Sequence, residues 1–118
     1  MVVRVLLLLL LLPSLGAPEP PPLTLRLVPL VGYQPLHVRA TLIIEPNYLN
    51  REVCLTWDSG AACWTLNGQY EARIQYRDLP SPHRGFETGV YTVRAKLFRV
   101  GVPNVVSLAQ TITVIQSE

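Results

Sequence analysis

Gly89-Val90-Tyr91-Thr92-Val93-Arg94-Ala95-Lys96-Leu97-Phe98-Arg99 decides the fold class. Tyr91, Val93, Ala95 and Leu97 occupy every second position, with Thr92, Arg94 and Lys96 between them. That period of two belongs to a strand with one face in a core and the other in solvent, because a helix repeats its apolar face every three to four residues. The same pattern recurs on both sides. Downstream, a turn over residues 101–104 leads into a last strand over 105–115. Upstream, Tyr70, Ala72, Ile74 and Tyr76 alternate with Glu71, Arg73, Gln75 and Arg77 as far as Asp78-Leu79-Pro80. Val53, Leu55 and Trp57 alternate with Cys54 and Thr56 before Asp58-Ser59-Gly60 supplies turn chemistry. Residues 63–66 then run back as a hairpin, which Asn67-Gly68 closes at its far end. Leu36, Val38, Ala40, Leu42 and Ile44 mark an earlier strand ending at Glu45-Pro46-Asn47, and Leu23, Leu25 and Leu27 mark the first, ended by Pro29.

About seven strands in roughly 90 residues, with turn signals every 8 to 15, predict one all-β domain built as a two-sheet antiparallel sandwich. A closed barrel is the structural alternative. Trp57, Tyr91, Leu42, Ile44, Leu55 and Val93 lead the expected core. A core of that size folds without cofactors at about 25 cal/mol per Å² of buried apolar surface.

The first residues read differently. Arg4 precedes an unbroken leucine run from Leu6 to Leu12, which Pro13 ends before the small residues Ser14, Gly16 and Ala17. These are the n-, h- and c-regions of a secretory signal peptide, and the apolar run is about half of the roughly 20 residues a spanning helix needs. Cleavage is expected after Gly16, giving a signal peptide over 1–16, a stiff Pro-rich leader over 17–22 and the domain over 23–118. No cysteine stands directly after the hydrophobic run, so N-terminal lipidation is not expected. The mature protein is expected to be secreted or periplasmic, with no membrane insertion after signal removal. Ten basic residues face eight acidic ones along the whole chain, a near balance that provides no bulk attraction for nucleic acid or an anionic membrane. Lys96 is the only lysine, and this arginine bias hints at a GC-rich, bacterial genome.

Gly89-Val90-Tyr91-Thr92-Val93 resembles the stretch that opens the sixth strand of immunoglobulin-like and fibronectin-III-like sandwiches, and Trp57 stands where such domains place a core tryptophan. The resemblance implies that the Tyr91 hydroxyl bonds back to backbone at the preceding turn. Ile44-Glu45-Pro46-Asn47, Leu55-Thr56-Trp57-Asp58-Ser59-Gly60, Leu66-Asn67-Gly68 and Arg77-Asp78-Leu79-Pro80 also look like small secreted bacterial domains of this fold, whose function is uncharacterised. The likeness covers most of residues 23–116 and speaks to fold, not activity. It departs from antibody-type domains at Val93, where the second inter-sheet cysteine would stand.

Cys54 and Cys63 therefore have another task. A tight turn centred on Asp58 and Ser59 pairs residue 57 with 60 and, by the same register, 54 with 63. A cross-strand disulfide follows in an oxidising compartment; two buried thiols, or a redox or metal-binding pair, are the alternatives, although neither C-x-x-C spacing nor nearby histidines accompany them. His37 and His83 are the only histidines, and Ser81 beside His83 is not made a dyad by closeness in sequence. Asp58 and Asp78 read as turn formers. No phosphate loop, EF-hand or paired-carboxylate motif is present, so no enzyme activity, cofactor or metal is expected.

The residues left for binding are in the loop Leu79-Pro80-Ser81-Pro82-His83-Arg84-Gly85-Phe86-Glu87-Thr88, which is longer than a sandwich turn requires. Rigid sheets present contacts on such loops, and an aromatic beside an arginine is typical of a contact site, which nominates Phe86, Arg84 and His83. Trp64 is a second candidate if it points outward. The competing reading places both tryptophans in the core and makes the loop simply long. The leading expectation is thus a non-catalytic secreted module binding a protein or cell-envelope component. A secreted protease inhibitor or carbohydrate-binding domain is the alternative, and an accessory subunit of a periplasmic enzyme a weaker third.

Overall fold

The computed structural model describes residues 20–101 and 106–116. The proposed signal peptide, the first three residues of the leader and most of the turn over 101–104 lie outside them. Among the described residues there are eight strands and no helix: β1 (Leu23–Val28), β2 (Val31–Tyr33), β3 (Val38–Ile44), β4 (Asn50–Trp57), β5 (Gly60–Thr65), β6 (Ala72–Leu79), β7 (Gly89–Arg99) and β8 (Val106–Ile115). They form a three-stranded sheet, β1-β3-β6, and a five-stranded sheet, β2-β8-β7-β4-β5. Among the described residues, no helix is long and apolar enough to cross a membrane.

Alternation builds the core directly. In β3 the pattern puts Val38, Ala40, Leu42 and Ile44 inside and Arg39, Thr41 and Ile43 outside; in β1 it puts Leu23, Leu25 and Leu27 inside. Val53, Leu55, Val93, Ala95, Leu97, Ile112 and Val114 of the other sheet meet them in one cluster, nearly all fully buried. Each such valine, leucine or isoleucine stabilises the fold by about 1.5–3 kcal/mol relative to exposure. Of the expected core residues, Leu42, Ile44, Leu55 and Val93 are in this cluster, whereas Trp57 and Tyr91 are half-buried at its margins.

The extra strand corrects the count and the all-antiparallel expectation. Pro29 ends β1, and the chain then crosses to the other sheet, where β2 pairs parallel with β8 in the register Val31 with Thr113 and Tyr33 with Ile115. Thr113 N–H donates to the Leu30 carbonyl at 2.8 Å and Gln34 N–H to that of Ile115 at 2.9 Å. Three residues between prolines carry too little pattern to announce a strand. The last leader residue joins the fold as well, since Glu45 N–H donates to the Pro22 carbonyl.

Asn50, which opens β4, is the one buried polar side chain among the described residues. Its amide nitrogen donates to the Glu45 carbonyl at 3.0 Å, and its oxygen accepts from Arg99 Nε at 2.9 Å. Both ends are thus satisfied, as burial of an amide requires. The loop before it is an Asx turn, in which the Asn47 side-chain oxygen accepts from Leu49 N–H.

Candidate contact site at one end of the sheets

The β4–β5 hairpin turns on Asp58 and Ser59, with Trp57 opposite Gly60 and Cys54 opposite Cys63. The two cysteines form a disulfide across nine residues of sequence. Counting from the closing pair 57–60, positions 54 and 63 fall in a non-hydrogen-bonded pair, the kind in which facing side chains come closest. Glu52, Cys54 and Cys63 bring potential metal-ligand atoms within 4.8 Å of one another. The disulfide uses the sulfur valences that would bind a metal, and the approach of Glu52 Oε1 to Cys54 Sγ at 3.4 Å is a contact without a bridging proton.

Residues 80–88, between β6 and β7, lie close to that hairpin turn. Phe86, expected to be displayed, is instead 3% exposed and part of the core cluster. An isolated antiparallel bridge holds it there: Phe86 N–H donates to the Leu36 carbonyl at 2.7 Å, and Leu36 N–H to the Phe86 carbonyl at 3.1 Å. Leu36, read from sequence as the start of β3, is thereby a separate anchor. The approach is close enough to require glycine beside it, because a Cβ on Gly85 would stand 2.7 Å from the Leu36 nitrogen and from the Pro35 carbonyl carbon. Phe86 fails as a contact residue for a simple reason: it is the plug that fastens the loop.

Four further hydrogen bonds fix the same segment. The Tyr91 hydroxyl donates to the Glu87 carbonyl at 2.8 Å, and the Tyr91 ring packs on Phe86 at 4.7 Å between centroids. Thr88 donates from both its backbone N–H and its hydroxyl to Gln34 Oε1. Arg84 N–H donates to Ser81 Oγ at 3.1 Å, so that hydroxyl supports the turn. Gly89, which starts β7, has φ +152°, a conformation open to glycine but strained for other residues.

What remains displayed is narrower than the sequence suggested. His83 and Arg84 are exposed beside Pro82. An open hollow of ≈ 440 Å³ lies between the loop and the hairpin turn, with Asp58, Ser59, Ser81, Arg84 and Glu87 around it and Phe86 and Tyr91 beneath. Its rim therefore offers two carboxylates, one guanidinium and two hydroxyls.

Trp64 is not part of this end. In β5 it stands opposite Val53, on the inward face, and it meets Tyr76 of β6 edge to face at 6.3 Å. Trp57 lies 5.3 Å from the same ring. The three aromatics close the side of the core between β5 and β6, which rules out the outward platform considered for Trp64. His37 lies on the outer face of the three-stranded sheet, away from His83, in a groove described below. No protein-family model matches the chain, and neither the curated proteins nor the solved structures contain a significant match.

Proposed function

We propose that the chain is an exported, non-catalytic module of immunoglobulin-like architecture that binds a protein or cell-envelope component through the loop end formed by residues 80–88 and the 58–59 turn. The observation that carries the reading is the anchoring of that loop. Phe86, Gln34 and Tyr91 hold its backbone from below while His83 and Arg84 project from it. A loop fixed before contact loses little conformational entropy on binding, which is how rigid frameworks present recognition residues.

The immunoglobulin-like reading draws support from the strand order and from the tyrosine. β1, β3 and β6 stand as the A, B and E strands of that architecture, and β4, β7 and β8 as C, F and G, with β5 beside C. The bond from Tyr91 to the backbone four residues upstream is the corner such domains make before their sixth strand. Export is supported by the N-terminal leucine run and by the Cys54–Cys63 disulfide, which persists in oxidising compartments.

The test is capture of partners from the extracellular or envelope fraction by the purified protein and by its His83→Ala/Arg84→Ala variant. Both side chains are exposed, so the variant should unfold at the same denaturant concentration as the parent. A partner recovered by the parent and lost by the variant supports the reading; equal recovery by both overturns it.

A further inference from the structure

The near balance of charge along the chain hides a segregation that only the sheets reveal. Arg26 of β1, Arg39 of β3 and Arg73 and Arg77 of β6 all turn to the outer face of the three-stranded sheet, and all four are exposed. The register sets them in rows: Arg26 beside Thr41 and then Gln75, Val28 beside Arg39, and Ile43 beside Arg73. With His37 and Val28 they line an open groove of ≈ 530 Å³ that contains no carboxylate. The acidic side chains of matching outward parity, Glu45 and Glu71, stand beyond the last paired residues of β3 and β6. Asp78, next to Arg77 where the β3–β6 register shifts, is exposed but outside the groove.

Strand spacing of about 4.8 Å and a two-residue repeat of about 6.8 Å spread these cations over a field roughly 10 Å by 14 Å. They do not converge on one point, as a site for a single phosphate would. We propose that this face binds an anionic polysaccharide, a chain carrying sulfate or carboxylate groups at repeated intervals. Repeated anions match a dispersed array, and the guanidinium fork pairs with sulfate or carboxylate through two parallel hydrogen bonds. Single-stranded nucleic acid needs a row of aromatic platforms for its successive bases, and the groove lining has one ring, the imidazole of His37, with no Phe, Tyr or Trp. A lipid surface needs apolar anchors beside the cations; Val28 is there, but Val31, Tyr33, Val90 and Ile115 are strand residues of the five-stranded sheet. This surface is independent of the loop end, since the two linings share no residue.

The test measures binding of the purified protein to an immobilised heparin octasaccharide, with neutral dextran of similar length as the blank. Parent protein should bind the sulfated chain and not dextran, with affinity falling as salt rises. Arg39→Ala/Arg73→Ala should weaken binding at least tenfold, and Arg39→Lys/Arg73→Lys should recover only part of it, because lysine keeps the charge and loses the fork. Arg94→Ala/Lys96→Ala, which removes two exposed cations from the other sheet, should leave binding within about twofold of parent. Equal loss in the two alanine pairs reduces the effect to net charge and overturns the proposal. So does undiminished binding by Arg39→Ala/Arg73→Ala at parental unfolding midpoint, or tighter binding to a single-stranded oligonucleotide or to anionic vesicles than to the octasaccharide.

Discussion

Phe86 and Tyr91 pack ring on ring, 4.7 Å apart at 39°, and through this pair the loop over 80–88 is fastened to the strand that carries Val93, Ala95 and Leu97 into the core. The hydroxyl of the same tyrosine reaches back to Glu87, so one side chain holds the loop by both its apolar body and its polar tip. Loop geometry and core stability are therefore linked.

Truncating the plug should show that link. Phe86→Ala is expected to cost about 3–5 kcal/mol as a core truncation, and Tyr91→Phe about 1 kcal/mol through one lost hydrogen bond. Arg84→Ala, two residues from the plug, should stay within about 0.5 kcal/mol of parent. Urea unfolding of the three variants checks the order; a Phe86→Ala protein as stable as Arg84→Ala would contradict the placement of the ring.

The hairpin disulfide closes a short loop, so its stabilisation is at the lower end of the usual range, about 2–3 kcal/mol. The intact oxidised protein should have a mass two hydrogens below its reduced form. Cys54→Ala/Cys63→Ala should unfold at lower denaturant by that free energy while keeping its far-ultraviolet circular dichroism. An unchanged midpoint would mean that the neighbouring ladder to β7 already holds the hairpin.

Asn50 makes a third prediction independent of the loop. Asn50→Ala leaves the Arg99 Nε–H and the Glu45 carbonyl without their partner and should cost about 2 kcal/mol. Arg99→Met, which keeps most of the apolar stem, should cost less. A double-mutant cycle should then give a loss smaller than the sum, because the two substitutions remove one shared bond. Strict additivity would contradict the Asn50–Arg99 interaction.

Strand alternation made most of this architecture readable in advance. The core positions of β1, β3, β4 and β7 follow from every-second-residue spacing, and the Cys54–Cys63 pairing follows from counting outward from Asp58 and Ser59. The parts that were not readable have a common physical cause, which is that they depend on contacts between distant segments. β2 is three residues long and acquires its identity from β8. Phe86 looks like a loop aromatic until Leu36, fifty residues earlier in the chain, pairs with it. Trp64 was ambiguous because its outlook depends on which face of β5 meets Tyr76. Asn50 resembles any turn asparagine, and its burial comes from Arg99 on a strand formed much later. The arginine field escaped a charge count because net charge contains no information about which strands become neighbours.

Site-specific photo-crosslinking tests the central claim, contact through the loop end, most directly. A benzophenone side chain is placed at Arg84 in one variant and, in a control, at Thr111, an exposed position on the outer face of the five-stranded sheet. After irradiation in the native extracellular or envelope fraction, a discrete crosslinked species is expected from position 84 and none from position 111. A species from position 111 with none from position 84 would contradict it.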